Sequence, residues 1–316
     1  IGHAPVLAAA LFARGRLETA SGDATTAART FEQALMAAAD ARDDALTAWI
    51  WPDFITVVGA KLERHDQAMG LRPAAEAAMR RAGGALEAEA RFLERLGGVF
   101  DAQGEYDEAR RLHARALAIR EQTLGPDHLD VALSLYHLGN VLDVQGKYDE
   151  ALEHHLRARA IRERSLGPGH PLVASSLGNV ANVYHSQGKE AEALRYHARA
   201  LTIREQALGP DHPDVAGVLG NLGVVLRALG RYDEALQHHR RALAIWERVL
   251  GPDHPDVARC LNNLGVVLES QGKYDEAMAS YQRGLAIREA ALGPDHPRVA
   301  SSLLNVGSLF GLQGKI

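Results

Sequence analysis

The sequence predicts an all-α solenoid, a repeat array in which each helical unit buries its apolar face against its neighbours. The first observation is a Leu-Gly-Pro motif that recurs at intervals of 42 residues. The second is the spacing of apolar residues between these motifs, which is three or four residues, as in an amphipathic helix. The third is composition, because aromatic residues make up only 5% of the chain and alanine is abundant, which suits closely packed helices. The motif begins at Leu124, Leu166, Leu208, Leu250 and Leu292.

The segment from Pro255 to Leu292 shows how one repeat is built. The first helix is predicted to begin near Pro255, because proline has a preset helical φ at the first helical position. Gly272 can adopt the left-handed conformation that ends a helix, and the acidic residues after Tyr274 favour the start of a second helix. That helix is predicted to end near Leu292, because the Gly-Pro step that follows does not continue it.

The predicted helix pair resembles the tetratricopeptide repeat. Small residues stand where the two helix backbones approach, and larger apolar residues fill the positions between them. The matching residues are Leu261, Leu264, Gly265, Leu268, Ala277 and Tyr281. The usual unit has about 34 residues, and the longer unit here is similar to the kinesin light chain subtype and to the repeat tails of bacterial serine/threonine kinases. The resemblance implies a right-handed superhelix whose inner, concave surface binds other proteins.

The repeats divide the chain into three predicted regions. Residues 1–84 contain two degenerate helical repeats, in which Gly15, Ala27 and Phe31 keep the spacing of a unit. Residues 85–296 contain five regular repeats of 42 residues, and residues 297–316 form the first helix of a truncated further repeat. Because a truncated repeat would leave an apolar face uncovered, we expect a fragment of a larger protein and self-association through this half-repeat.

One column of the first helices supplies the candidate binding site. Asparagine occupies it at intervals of 42 residues, and a side-chain amide offers both a donor and an acceptor to the backbone of an extended peptide. The column comprises Arg95, His137, Asn179, Asn221, Asn263 and Asn305, joined one turn later by Asn140 and Asn182. The resemblance implies the same role, since this asparagine column binds peptide main chain in relatives. The alternative is hydrogen bonding between neighbouring helices, which needs no ligand.

Two variable columns beside the asparagines are expected to set specificity. The first comprises Tyr136, Gly178, Gly220, Asn262 and Leu304. The second comprises Asp101, Asp143, His185, Arg227 and Glu269. The two glycines are predicted to open pockets, and an acidic ligand residue is predicted near His185 and Arg227. Because lysine is missing at the glycine positions, a receptor that clamps the terminal carboxylate of a chaperone tail is not expected.

The 15 histidines do not predict a metal site. One set stands in the connections, one per repeat, so neighbours are expected about 10 Å apart, too far to share a zinc ion. We expect these residues to organise the turn before each first helix: His128, His170, His212, His254 and His296. A second set occupies the column of Phe31 and Tyr281, and we expect half-buried packing residues there: His113, His155, His197 and His239.

Two single residues interrupt the repeat pattern. Trp246 replaces the arginine found at Arg120, Arg162, Arg204 and Arg288. Its ring is interpreted either as an outer-face contact or as a side chain that fills a gap against the next repeat. Cys260 is the only cysteine, so it cannot form an internal disulfide, and we expect a small core residue. A single cysteine is compatible with a reducing cytoplasm, which is the expected location.

Charge and motifs exclude several function classes. The net charge of −5 without a run of basic residues argues against nucleic-acid and membrane partners. The sequence has no glycine-rich phosphate loop and no catalytic constellation, so neither an enzyme nor a cofactor is predicted. We expect a protein–protein interaction module that binds an extended peptide segment in the concave groove. The alternatives are a regulatory or sensor tail of a signalling kinase that binds its own chain, and a structural spacer.

Overall fold

The computed structural model describes residues 4–312, and within this range its regular secondary structure is helical, without a β-strand. The chain forms two compact units, one ending at Ile161 and one beginning at Arg162. In each unit, consecutive helices pack against one another as pairs joined by short connections. The all-α, tetratricopeptide-like fold class is therefore confirmed.

The first unit contains the degenerate part of the sequence. Helix α3 continues directly into a π-helix, so this part departs from a regular helix pair. The helices are α1 (Ala4–Ala20), α2 (Ala24–Asp40), α3 (Asp44–Thr56), the π-helix (Val57–Lys61), α4 (His65–Arg81), α5 (Leu86–Ala102), α6 (Tyr106–Leu124), α7 (Leu129–Val144) and the first part of α8 (Tyr148–Leu166). Helix α1 packs on α2 and α5 packs on α6, whereas α3 contacts α2, α4 and α5.

The second unit contains the regular repeats that follow. After the end of α8, its helices are α9 (Pro171–Ser186), α10 (Glu190–Leu208), α11 (Pro213–Ala228), α12 (Tyr232–Leu250), α13 (Pro255–Ser270), α14 (Tyr274–Leu292) and α15 (Pro297–Leu312). The prediction for one repeat is confirmed, because α13 begins at Pro255, Gly272 has a φ of +72°, and α14 ends at Leu292. The predicted chain end at residues 313–316 lies outside the described residues.

The histidines of the connections begin the first helices of the repeats. In each case Nδ1 accepts a hydrogen bond of 3.1 Å from the backbone N–H two residues later, which satisfies a donor that the helix end leaves unpaired. The pairs are His128 with Asp130, His170 with Leu172, His212 with Asp214, His254 with Asp256, and His296 with Arg298. The predicted role of these histidines in the turn is confirmed.

A ring packed on glycine joins the two helices of most repeats. The first helix carries the glycine, and the ring of the second helix occupies the space where a Cβ would be. The pairs are Gly15 with Phe31, Gly97 with His113, Gly139 with His155, Gly223 with His239, and Gly265 with Tyr281. This close contact buries three of the four histidines, since His113 and His239 are each 1% exposed and His155 is 2% exposed. His197, whose equivalent first-helix position is Ala181 rather than glycine, is also only 1% exposed. The expectation of half-buried histidines is therefore wrong.

An arginine near the end of the second helix joins one repeat to the next. Arg162 Nη1 donates a hydrogen bond of 2.7 Å to Ser176 Oγ in the second unit. In the first unit, Arg120 Nη1 donates to Ser134 Oγ at 2.8 Å and to the buried carboxylate of Glu94 at 2.8 Å. Because each arginine and its serine belong to different repeats, these bonds stabilise the junctions between repeats.

Trp246 occupies this junction where the arginine is missing. Its side chain is 3% exposed and lies 3.7 Å from the position of a Cβ on Gly220. The guanidinium of Arg259 covers the ring, 5.0 Å from its centroid. The outer-face interpretation is therefore wrong, and the gap-filling alternative is confirmed. Cys260, also buried, replaces the serine of this junction and donates to the carbonyl of His239 at 3.2 Å, so its prediction as a small core residue is confirmed.

Candidate functional site

An open cleft in the second unit contains part of the predicted asparagine column. Its volume is about 270 Å³, and it is lined by residues of α9 and α11, with further side chains from α10 and α13. Asn179, Asn182 and Asn221 all line it. Asn179 and Asn182 share a face of α9 because residues three apart are neighbours on a helix surface. Asn221 occupies the position equivalent to Asn179 in the next repeat.

The amides of this cleft are available to a ligand. Asn179 and Asn221 are half-buried, and Asn182 is exposed. Within residues 4–312, none of the three side chains forms a hydrogen bond with another protein group. Each amide therefore keeps both its donor and its acceptor for an incoming chain.

Two arginines that the sequence did not assign to the site also line the cleft. Arg204 donates to Ser175 Oγ at 3.0 Å and to the carbonyl of Asp214 at 3.1 Å. Arg259 is exposed and donates to a carboxylate on its own helix at 3.0 Å. The sequence contained one clue to the role of Arg204. Val218 occupies the position at which other junctions carry the serine that accepts from the arginine, so the guanidinium of Arg204 bonds to Ser175 instead. Each guanidinium also pairs with an aspartate, Arg204 with Asp214 at 3.3 Å and Arg259 with Asp256 at 3.0 Å. The cleft therefore combines three amides with two arginines whose charges are partly balanced.

The two glycines expected to open pockets have different surroundings. A Cβ on Gly178 would meet no atom within 4 Å, and Gly178 lines the cleft. The space beside Gly220 is filled by Trp246. The expected opening is thus present at Gly178 and absent at Gly220, because the tryptophan ring occupies it.

The asparagines at the end of the column are arranged differently. Asn305 Nδ2 donates a hydrogen bond of 2.6 Å to Asn262 Oδ1, which links α15 to α13. The alternative of hydrogen bonding between helices is therefore observed for this pair. Asn263 is half-buried and does not line the cleft.

The predicted acid-binding residues lie outside the cleft lining, and one of them already has an acidic neighbour. His185 Nδ1 lies 2.7 Å from Glu190 Oε2. Arg227 is half-buried, and its charge adds to the larger effect of burial in lowering the pKa of His239 to about 4. An acidic ligand residue near His185 would compete with Glu190, so its binding there stays a prediction.

Three predicted site residues belong to the first unit. His137 stacks on the buried His113 with ring centroids 5.3 Å apart, and Tyr136 meets His137 edge-on at 4.9 Å. His137 Nε2 also lies 4.0 Å from the carboxylate of Glu94. Asn140 is half-buried. Tyr136 and His137 therefore already pack on each other and on the core of their own unit.

The described residues form neither a cluster of three or more potential metal ligands nor a helix able to span a membrane. Between residues 4 and 312, no group of three or more histidine, cysteine, aspartate or glutamate side chains is placed to hold a metal ion. None of the helices in this part of the chain combines the length and the apolar character needed to cross a membrane.

The paired helices and the cleft define a helical-repeat protein. The tetratricopeptide repeat model matches residues 88–143, 130–206, 173–225 and 214–290. These matches cover more than half of the chain, which belongs to the tetratricopeptide repeat family. The chain is thus a repeat scaffold of a kind that generally serves in protein–protein interaction and is typically not catalytic.

Solved structures of similar fold include kinesin light chain-like proteins. BtubC (BKLC) from P. vanneervenii is 26% identical with a TM-score of 0.59, over 75% of this chain and 94% of that one. A putative kinesin light chain from Podosopora anserina is 23% identical with a TM-score of 0.55, over 65% and 98% of the two chains. A Rap protein complexed with Competence and Sporulation Factor is 17% identical with a TM-score of 0.63, over 97% and 86%. No curated protein gives a significant match.

Proposed function

We propose that the chain is an interaction module that binds an extended peptide on the first-helix face of its second unit. The observation that carries this proposal is the cleft in which Asn179, Asn182 and Asn221 stand together with unbonded amides. Each amide can donate to a peptide C=O and accept from a peptide N–H, so this part of the affinity comes from the ligand's main chain. A Rap protein of the same fold was solved as a complex, which supports a binding role for such repeats.

The spacing of the asparagines sets the expected register of the ligand. Packed helices lie about 10 Å apart and an extended chain rises about 3.3 Å per residue, so one repeat serves about three ligand residues. Asn263 continues the row, but the bond between Asn262 and Asn305 occupies the next pair of amides. A bound peptide therefore extends from Asn179 towards Asn263.

Charge and space in the cleft define a preferred ligand residue. Arg204 and Arg259 lie beside the amides, where a ligand carboxylate would exchange with their present partners Asp214 and Asp256, and Gly178 leaves room for a side chain. An acidic residue placed there forms charge-assisted hydrogen bonds, which are stronger than neutral ones. We therefore expect selected peptides to carry aspartate or glutamate at one fixed position.

Selection from a peptide display library tests the proposal on the whole chain. The test variant is Asn179→Ala, Asn182→Ala and Asn221→Ala together. The matched control is Gln206→Ala, Gln237→Ala and Gln282→Ala, which removes three amides from exposed positions of second helices in the same unit. Peptides enriched on the wild type should bind the control equally and the asparagine variant about tenfold more weakly, as lost hydrogen bonds imply.

Fluorescence polarisation measures these affinities, and circular dichroism checks that all three proteins remain helical. Equal binding by the asparagine variant would show that the cleft is not the binding site. If no peptide is enriched on the wild type, a structural spacer is the better description of the chain.

A further inference from the structure

The first unit contains a basic cleft that the proposed function does not use. Its volume is about 250 Å³, and it lies among α1, α2, α3, the π-helix and α5. Its charged lining residues are Arg16, Asp53, Lys61, Arg91 and Arg95. Four cations in one small cleft contrast with the net charge of −5 of the whole chain.

The single carboxylate balances only part of this charge. Asp53 is 8% exposed and accepts a hydrogen bond of 2.6 Å from Arg91 Nη2, while Arg16 Nε lies 3.7 Å from its other oxygen. Lys61 and Arg95 are exposed and form no ion pair within residues 4–312. Four cations and one carboxylate therefore leave a cleft with an excess of three positive charges.

Separate elements of the fold bring these cations together. Arg91 and Arg95 lie one turn apart on α5, an arrangement of like charges that weakens a helix unless a partner compensates it. Lys61 is the last residue of the π-helix, and π-helical turns occur frequently at functional sites. Arg16 reaches the same cleft from α1. Asp53 compensates Arg91, whereas Lys61 and Arg95 have no such partner among the described residues, and their convergence beside an irregular helix points to an anionic ligand.

We infer that this cleft binds a phosphate monoester group, carried by a phosphorylated side chain of a partner polypeptide. Such a group has a charge of about −1.5 to −2 at neutral pH and three acceptor oxygens, which suits the excess positive charge. Arginine pairs bidentately with phosphate, and lysine adds a point charge. The cleft is smaller than pockets for drug-sized ligands, which hold about 300–1,000 Å³, so it accommodates a single phosphate group better than a nucleotide.

Asp53 defines a second feature of the ligand. Its Oδ2 atom is buried and accepts no hydrogen bond within the described chain. A ligand N–H can fill this position, and the backbone N–H beside a phosphorylated residue provides one. The cleft thus offers cations for the phosphate and an acceptor for the polypeptide that carries it.

Binding of short labelled peptides to the whole chain tests this inference. The probes are one five-residue sequence carrying serine, phosphoserine or phosphotyrosine, and the competitor is inorganic phosphate. The test variant is Lys61→Gln with Arg95→Gln, two exposed residues whose loss should leave the fold intact. The control, Arg29→Gln with Lys273→Gln, removes the same two charges from exposed positions outside the cleft.

We expect the wild type and the control to bind a phosphorylated probe with equal affinity. The test variant should bind it at least about tenfold more weakly. The serine peptide should not bind, and added salt should weaken the phosphorylated probe. Equal binding by test variant and control, or no preference of the wild type for phosphorylated probes, would overturn the inference. If inorganic phosphate competes with an affinity equal to that of the phosphopeptide, the polypeptide adds nothing to binding. That result would overturn the inference that a polypeptide carries the phosphate group.

Discussion

Arg288 Nη1 donates a hydrogen bond of 2.6 Å to Ser302 Oγ, and this bond joins α14 to the first helix of the next repeat. The same guanidinium donates to the carbonyl of Arg298 at 3.3 Å. Burial lowers the pKa of Arg288, whose side chain is half-buried. The repeats are thus connected by polar bonds, buried at Arg120 and Arg162 and partly buried at Arg288, as well as by apolar packing.

Removing the serine of such a junction should weaken the fold. Ser176→Ala deletes the acceptor of Arg162 in a buried setting, and the free energy of unfolding should fall by about 1–3 kcal/mol. The matched control is Ser186→Ala, an exposed serine at the end of the same helix, which should change stability by less than about 0.5 kcal/mol. Urea denaturation followed by circular dichroism measures both. Equal midpoints for the two variants would show that the hydroxyl does not support the junction.

The junction at Trp246 should accept the arginine–serine pair that other junctions use. Trp246→Arg alone removes a buried ring and should cost about 3–5 kcal/mol. Adding Cys260→Ser supplies the hydroxyl acceptor that the other junctions use, so the double variant should be more stable than the sum of the single changes by about 0.5–3 kcal/mol. A double-mutant cycle from urea denaturation gives this coupling. Strictly additive losses would contradict the pairing of the two positions.

Glycines on one helix should respond oppositely to alanine. A Cβ on Gly223 would lie 2.4 Å from His239 Nε2, so Gly223→Ala should destabilise the fold by about 1–3 kcal/mol. Gly217, also on α11, has no atom within 4 Å of a new Cβ, so Gly217→Ala should stabilise it by up to about 1 kcal/mol through helix propensity. Thermal unfolding shows the sign of each change. A stabilised Gly223→Ala variant would mean that the imidazole moves aside without cost.

The buried histidines should make the fold sensitive to acid. Burial lowers the pKa of His197 and His239 to about 4, whereas an unfolded histidine titrates near about 6.5. Between these pH values the two histidines are protonated in the unfolded state and neutral in the folded state. The free energy of unfolding should therefore fall as pH drops from about 6.5 to about 4. Each histidine contributes at most about 3 kcal/mol, at about 1.4 kcal/mol per pKa unit.

Replacing one of these histidines isolates its share of the pH dependence. His239→Phe introduces a phenylalanine, the residue that occupies the equivalent position in the first repeat. There the ring of Phe31 packs on Gly15. The unfolding free energy of the variant should decline less steeply between pH 6.5 and 4 than that of the wild type. Urea denaturation at several pH values gives the two curves, and parallel curves would exclude His239 as a source of acid sensitivity.

The helix pairs and their caps were predictable because they depend on local chemistry. Proline at a first helical position, as at Pro255, and glycine at a left-handed position, as at Gly272, act through their own backbones. The capping histidines reach only two residues along the chain. Such signals are complete within a short stretch of sequence.

The arrangement of the candidate site was only partly predictable. Repeat spacing identified Asn179 and Asn221 as equivalent, and both line the cleft. Spacing does not show where a side chain points, so the sequence could not decide between the outer-face and the gap-filling interpretation of Trp246. Arg204 enters the cleft because Val218 offers it no hydroxyl, and this depends on contacts between repeats. The π-helix before Leu62 was not predicted from the sequence.

The junction pairs make the order of the repeats matter. Each pair is divided between two neighbours, so a repeat that ends in arginine can precede any repeat whose first helix carries the matching serine. The indole of Trp246 packs on Gly220 of its own repeat and lies under Arg259 of the next repeat, which also carries Cys260 in place of the serine. In an array with the repeats in another order, the indole of Trp246 would meet a serine hydroxyl, and a junction arginine would meet the thiol of Cys260. The side chains at the junctions therefore determine which repeat can pack next to which, although the repeats are otherwise nearly identical.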